Sequence, residues 1–287
     1  MRTIQIDIES CVKCGRCVKV CPAQIFTQAE KRGPIGVEHE DRCIVCGHCV
    51  DACPKGAVIH SDFPAEAVHP IDYQSQPSPE QLMSLIKSRR SNRALSERPV
   101  PEEALQKILE AANCAPTATN SEKVGYTLIT SPDDLRAVAD FTIGVFSRLL
   151  KILNNPLIRF FLKPLEPDVY RYVPVFKSLK KRQKKGKDPI LRNAKALILI
   201  HTPEDYRFGA EDCNLAYQNA SLMAQSLGVS QIYMGFVLTA LKQKGQQKFT
   251  RQFGIEGRHI HAIMALGIPE FAYPNYVDRK PMEVTRR

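Results

Sequence analysis

The sequence predicts an α+β protein in two parts, a small cysteine-rich module followed by a larger domain of helices and strands. Three observations carry that expectation. Cysteines at 11, 14, 17 and 21 recur at 43, 46, 49 and 53. A stretch with four prolines, SDFPAEAVHPIDYQSQPSPE at 61–80, then interrupts any apolar periodicity. Beyond it, helix-period and strand-period segments alternate over about 200 residues.

The module comes first. CVKCGRCVKVCP (11–22) and CIVCGHCVDACP (43–54) agree at seven of twelve positions. Four soft thiolates in an eleven-residue run, twice, suit iron–sulfur chemistry; zinc fingers use paired cysteines, and a disulfide framework needs an oxidising compartment. Three donors spaced by two residues can curl round one corner of a cube, and the proline after the fourth turns the chain away. The run C-x2-C-x2-C-x3-C-P resembles that of bacterial two-cluster ferredoxins, whose fourth cysteine serves the other cluster. The resemblance implies one 4Fe–4S cluster on Cys11, Cys14, Cys17 and Cys53 and a second on Cys43, Cys46, Cys49 and Cys21. Gly15 and Gly47 stand at matching places that a positive φ or a close approach would reserve for glycine. Cys114 and Cys213 are left over and are expected to be small buried residues. His48 is expected to be solvated or beside a cluster, not an iron ligand.

The expected boundaries are 1–60 for the module, 61–80 for a semi-extended linker and 81–287 for the larger domain. In the latter, Ser78-Pro79-Glu80-Gln81 carries the marks of a helix start: a hydroxyl cap, proline in the first turn and a capping-box glutamine. A helix after Pro101 sets Leu105, Ile108, Leu109 and Ala112 on one face. Tyr126–Thr130, Ala196–His201 and Ile260–Leu266 read as strands. Ser131-Pro132-Asp133-Asp134 opens a further helix, and Glu211–Leu227 forms one that Gly228 ends.

The chain has 44% hydrophobic residues and no long uncharged apolar run, so no membrane span is expected. The N-terminus lacks a basic-then-apolar secretory layout, and ten cysteines without an export signal point to a reducing cytoplasm. A net charge of +10 would suit a nucleic-acid binder, but residues 148–187 hold twelve Lys or Arg against Glu166 and Asp168, which leaves the rest balanced. No nucleic-acid partner is expected.

Arg89, Arg90 and Arg93 surround Ser91 at a helix end, a guanidinium-and-hydroxyl set suited to a phosphate monoester. Joined with APTATN at 115–120, RRSNR resembles the opening signature of the nitroreductase family of FMN flavoproteins. EDCNLAYQNASLMAQSLGVS, IYMGF, GIEGRHIHAIMALGIP and DRKP extend the likeness over roughly residues 80–287. The resemblance implies a mixed sheet surrounded by helices, in an intertwined homodimer with FMN at the interface. It implies that Arg89, Ser91 and Arg93, with Arg90 nearby, hold the FMN phosphate, ribityl and pyrimidine edge. Asn120, flanked by Pro116 and Thr117, would bond the ribityl or ring edge. Met234 and Gly235 would set backbone N–H groups near flavin N5, and Arg279 with Lys280 would complete the phosphate site. After Asn120 the sequence runs Ser-Glu-Lys-Val where the family often has x-Q-P-W.

Clusters carry single electrons and a flavin takes two, so the two parts are matched. The expected activity is reduction of a small organic acceptor (a nitroaromatic, quinone or activated alkene) with electrons from a redox protein or from NAD(P)H. A relay or sensing module, and a reductive dehalogenase, are the other readings. No catalytic acid is named; solvent suffices. Residues 141–190 read as a lid and dimer surface, then as a membrane-surface helix around Phe160 and Phe161, then as a docking site for an acidic partner. KKRQKKGK (180–187), taken alone, reads as a flexible solvated loop.

Overall fold

The computed structural model describes residues 2–244 and 246–287. Contacts divide the chain into two compact units: residues up to Gln76 with Ala118–Glu122, and Pro77–Thr117 with Lys123–Arg287.

The first unit is built twice. Helix α1 (Arg16–Val20) precedes strand β2 (Phe26–Thr27), and helix α2 (His48–Asp51) precedes strand β4 (Val58–His60). β2 pairs antiparallel with β3 (Gly36–Val37), and β1 (Ile4–Ile6) with β4. The duplication reaches the backbone itself. Lys13 and Val45, Gly15 and Gly47, and Gln24 and Gly56 all take positive φ, each pair 32 residues apart. Gly15 (φ 70°) and Gly47 (φ 73°) cap the two helices, so the conformational reason for glycine holds at both. Ile4, Ile25, Phe26, Val50 and Val58 close a small core with Cys17 and Cys49. Such a core is thin, and a module this size ordinarily needs cross-links or metal as well.

In the second unit, α3 (Pro79–Ser88) begins as expected. The Ser78 hydroxyl accepts from the Gln81 amide, and the Gln81 side chain returns the bond to Ser78. Helix α4 (Glu102–Asn113) buries Ala104, Leu105, Ile108 and Ala112. Next come β5 (Gly125–Ile129), α5 (Pro132–Leu153), α6 (Pro156–Leu165), α7 (Pro167–Arg171) and α8 (Val173–Gln183). The remainder is β6 (Ala196–Pro203), α9 (Gly209–Ser226), β7 (Ser230–Tyr233), α10 (Gly235–Lys244), α11 (Gln247–Gln252) and β8 (Arg258–Gly267).

The sheet order is β5-β6-β8-β7. Ala196, Ile198 and Ile200 face α4 and α9, while Leu197 and Leu199 face α5 and α10. Coverage of both faces is why ALILI is apolar at every position. The α+β expectation holds, but the sheet is not mixed: each neighbouring pair runs antiparallel. The crossover helix α9 does make β6 and β7 point the same way, and β8 lies between them.

Two further expectations are corrected. KKRQKKGK is not a loop throughout, because Lys180–Gln183 complete α8, whose Phe176 and Leu179 are buried in the core. A helix anchored on one side can carry a fully charged face on the other. Cys213 is buried as expected, but Cys114 is exposed, since it caps the C-terminus of α4 beyond the last core-facing turn.

Candidate functional site

The first unit gathers its eight motif cysteines into two cavities. One is lined by Cys11, Cys14, Cys17 and Cys53, with Gly15 and Val58 among its walls. The other is lined by Cys43, Cys46, Cys49 and Cys21, with Pro22, Gly47 and His60. Each fourth cysteine therefore sits with the triplet of the other motif. Among the described residues no three donors converge on a point as a single ion requires. A cube places its irons at separate corners and takes ligands spread more widely, so all-thiolate cavities of this kind fit a 4Fe–4S group. Cys17 and Cys49 are buried, and burial pushes the Cys49 thiol up to about 11. Iron binding at that position must displace a proton. Backbone N–H groups already aim at two of the sulfurs: Val45 donates to Cys43 (3.4 Å) and Ala57 to Cys53 (3.2 Å). His48 is exposed and opens α2, away from a ligand's role.

The second unit holds a cavity of about 500 Å³ that brings together Arg93, Met234 and Gly235. Its size and largely apolar wall suit a planar aromatic ligand. Phe146, Tyr172 and Phe176 form one side, with Phe146 and Phe176 stacked at 4.5 Å. The segment 141–190 thus supplies cavity wall. Met234 does not present its backbone N–H, because that group is bonded to the Ile263 carbonyl at 3.0 Å. Gly235 starts α10, where first-turn N–H groups have no partner within the helix, so the helix end itself is the donor set.

Arg192 also lines this cavity, and sequence reasoning missed it. It sits in a loop with φ 59° and belongs to no motif. Burial holds its guanidinium below the usual range, and the nearby charges of Arg182 and Arg93 act the same way, opposed by Asp188. Two crowded guanidinium groups are an electrostatic invitation to an anion.

The other expected residues lie elsewhere. Arg90 turns its guanidinium onto the carbonyls of Lys87 and Arg89. Arg89 ends α3 close enough to Tyr217 to act on its hydroxyl. Ser91 accepts from Arg93 through its carbonyl (3.4 Å). Pro116 is exposed and Thr117 half-buried. Asn120 packs with the first unit, where its amide donates to the Val45 carbonyl (2.9 Å) and to Glu122 (3.1 Å). Arg279 and Lys280 are exposed in the coil after β8.

Asn92 is the second residue missed. It is 6% exposed, donates to the Phe271 carbonyl (2.7 Å) and accepts from the Ala94 amide. Its own carbonyl accepts from Ser230 at the start of β7 (2.7 Å). These bonds fix the loop that presents Arg93, and buried groups left unpaired cost about 1–3 kcal/mol each, so an amide is needed at that position. The signal was available in RRSNR, where the asparagine between Ser91 and Arg93 suits a turn and not a phosphate.

Comparison with known proteins settles the family. Residues 86–268 match the nitroreductase family and residues 10–58 a 4Fe-4S dicluster domain. The chain belongs to the nitroreductase family. A candidate NADH dehydrogenase/NAD(P)H nitroreductase of Methanothermobacter thermautotrophicus is 24% identical over 158 residues, spanning 54% of this chain but only 60% of that protein. Its counterpart from Archaeoglobus fulgidus is 22% identical over 198 residues, 67% of this chain and 87% of its own length. Among solved structures, an FMN-bound nitroreductase of Bacteroides fragilis superimposes with TM-score 0.54 at 19% identity, covering 72% of this chain and 99% of the other. One from Desulfitobacterium hafniense, also FMN-bound, gives 0.54 at 19%, covering 71% and 97%. Identity at that level establishes the nitroreductase-like fold and no more.

Proposed function

We propose that this nitroreductase-family chain is an FMN-dependent oxidoreductase fed by two 4Fe–4S clusters, reducing a small organic acceptor such as a nitroaromatic, quinone or activated alkene. The observation that carries the flavin is the cavity bounded by Arg93, Arg192 and the start of α10. When bound, the clusters supply electrons singly and FMN supplies them in pairs. The chain's part is to hold and orient. Arg93 and Arg192 would attract the anionic end of the cofactor, the first-turn N–H groups of α10 would serve as donors to it, and Phe146, Tyr172 and Phe176 would exclude water on one side. The eight cysteines hold the clusters in the two sets described, within a module spanning 1–60 that the 61–80 linker joins to a flavin domain at 81–287.

A second copy would complete the site. Helix α3 buries none of its side chains, and Leu82, Met83 and Ile86 stand exposed on it, a face that a homodimer would cover. The exposed residues Arg279 and Lys280 are then available to a flavin from positions that a single chain does not bring to its cavity. The electron donor is a redox protein, with NAD(P)H as the alternative.

The decisive experiment is cofactor analysis of purified, reconstituted protein. About eight irons and one FMN per chain are expected. Arg93→Ala should weaken FMN retention roughly tenfold or more, the worth of one charge-assisted contact. Wild-type protein that keeps no flavin after reconstitution would overturn the reading.

Among the described residues no helix is long and apolar enough to cross a membrane. Helix α6 nevertheless leaves Leu157, Phe160 and Leu165 exposed by 73, 74 and 75%, beside Arg159 and Lys163. An apolar arc edged with cations suits the surface of an anionic bilayer. Flotation with anionic vesicles should carry the protein up at low salt and release it at high salt. Equal flotation with neutral vesicles would dismiss the part given to the cations, and flotation with neither kind would dismiss membrane contact and leave α6 to a second copy.

A further inference from the structure

The duplicated module allows an internal comparison, because residues 32 apart occupy equivalent places. Seven residues beyond the fourth cysteine the first half has Gln28 and the second has His60. Their side chains do different things. Gln28 donates to two carbonyls, of Lys13 (3.2 Å) and Gly33 (2.9 Å), and so ties backbone to backbone. His60 reaches a sulfur: its Nε2 stands 3.5 Å from Cys43 Sγ. The direction of that bond follows from the rest of the ring. Nδ1 accepts from the Asp62 backbone N–H at 3.1 Å, closer than the Asp62 carboxylate at 3.5 Å, which assigns the proton of the neutral imidazole to Nε2, on the side of Cys43.

The ring is held in that pose. It is 3% exposed and packs against Phe63 at 4.8 Å, while Arg2 pins the loop by donating to the Cys43 carbonyl at 2.8 Å. Cys43 thus takes two N–H donors, from Val45 and His60. A donor to a cluster thiolate withdraws charge and favours the more negative, reduced state.

We propose that His60 is a positioning residue that makes the two clusters unequal, raising the reduction potential of the one held by Cys43, Cys46, Cys49 and Cys21 above its twin's. The inference rests on the cysteine assignment given above. An N–H bond to a charged acceptor of about this strength corresponds to roughly a tenfold change in a one-electron equilibrium, or about 59 mV.

The test is a redox titration of the full chain followed by electron paramagnetic resonance, after iron analysis has confirmed about eight irons per chain; protein without clusters would fail the parent reading, not this one. Two resolved potentials are expected, and His60→Phe, which fills the space without a donor, should lower only the higher by about tenfold in the reduction equilibrium. Unchanged potentials, or an equal shift in both, would overturn the proposal. Should that variant not assemble, wild-type protein labelled with 15N-histidine decides the matter. Pulsed resonance is expected to find imidazole nitrogen coupled to the higher-potential cluster alone, and coupling to neither or to both would count against it.

Discussion

Cys21→Ala should cost the protein one cluster, and the cluster lost should be the one whose other ligands lie more than twenty residues downstream. Sequence proximity argues the opposite, since Cys21 closes the run that begins at Cys11. The cavities support the crossed assignment: Cys21 lines a wall with Cys43, Cys46 and Cys49, and Cys53 with Cys11, Cys14 and Cys17. Pairs of substitutions make the expectation sharp. Cys21→Ala with Cys43→Ala removes two ligands of one cluster and should leave about four irons per chain. Cys21→Ala with Cys11→Ala strikes both clusters and should leave almost none. If the second pair retained about four irons and the first pair none, each run would hold its own cluster and the crossed assignment would fall.

Acid should unfold the second unit earlier than its carboxylates alone explain. At one end of its sheet His201 is held neutral, its pKa lowered to about 4 by burial first and then by Arg258 and His261. The Arg258 Nε–H donates to His201 Nδ1 at 3.0 Å, and the other ring nitrogen meets Thr127. His261 is likewise lowered to about 4 by burial and by His259, with Glu211 opposing. Both groups bind protons more readily in the unfolded chain, where the ordinary value is near 6.5. Stability is therefore fully present above pH 6.5 and declines as pH falls towards 4. At about 1.4 kcal/mol for each tenfold difference in proton affinity, His201 accounts for roughly 3 kcal/mol, and the half-buried His261 for less. Urea midpoints followed by far-UV circular dichroism should fall between pH 6.5 and 5, above the range where carboxylates titrate. His201→Gln with His261→Gln should flatten the profile there. A midpoint constant across that interval in the wild-type protein would refute the account.

What the sequence disclosed and what it hid divide along a physical line. Local rules were readable: the Ser78 capping box, the Gly15 and Gly47 turns, and the apolar face of α4 all follow from neighbours within a few residues. So did the doubled cysteine run, because its spacing is itself the chemistry. Contacts closed by tertiary structure were not readable. Arg192 enters the cavity from an unpatterned loop, and Asn92 is bonded to Phe271, 179 residues away. The Met234 N–H was assigned to a ligand by likeness, yet a strand pairing consumes it. Lys180–Gln183 looked like solvated coil because charge density hides a helix anchored by Phe176 and Leu179. Short β7, with four residues, gave no periodic signal before the sheet placed it at an edge.

The exchange of Cys21 and Cys53 between the two halves has a bearing on how the molecule is made. The set of Cys43, Cys46, Cys49 and Cys21 is complete once synthesis reaches Cys49, whereas Cys11, Cys14 and Cys17 wait for Cys53. A chain ending after the first motif would offer iron only incomplete sites, and one ending before residue 49 would leave both sites short of a ligand. On the proposed assignment both sites would be completed late in the synthesis of the module, one shortly after the other. The left-handed backbone at Lys13 and Val45 adds to this, since strained loops of that kind persist only when their surroundings hold them. Each loop would therefore gain its final form as its own centre is loaded.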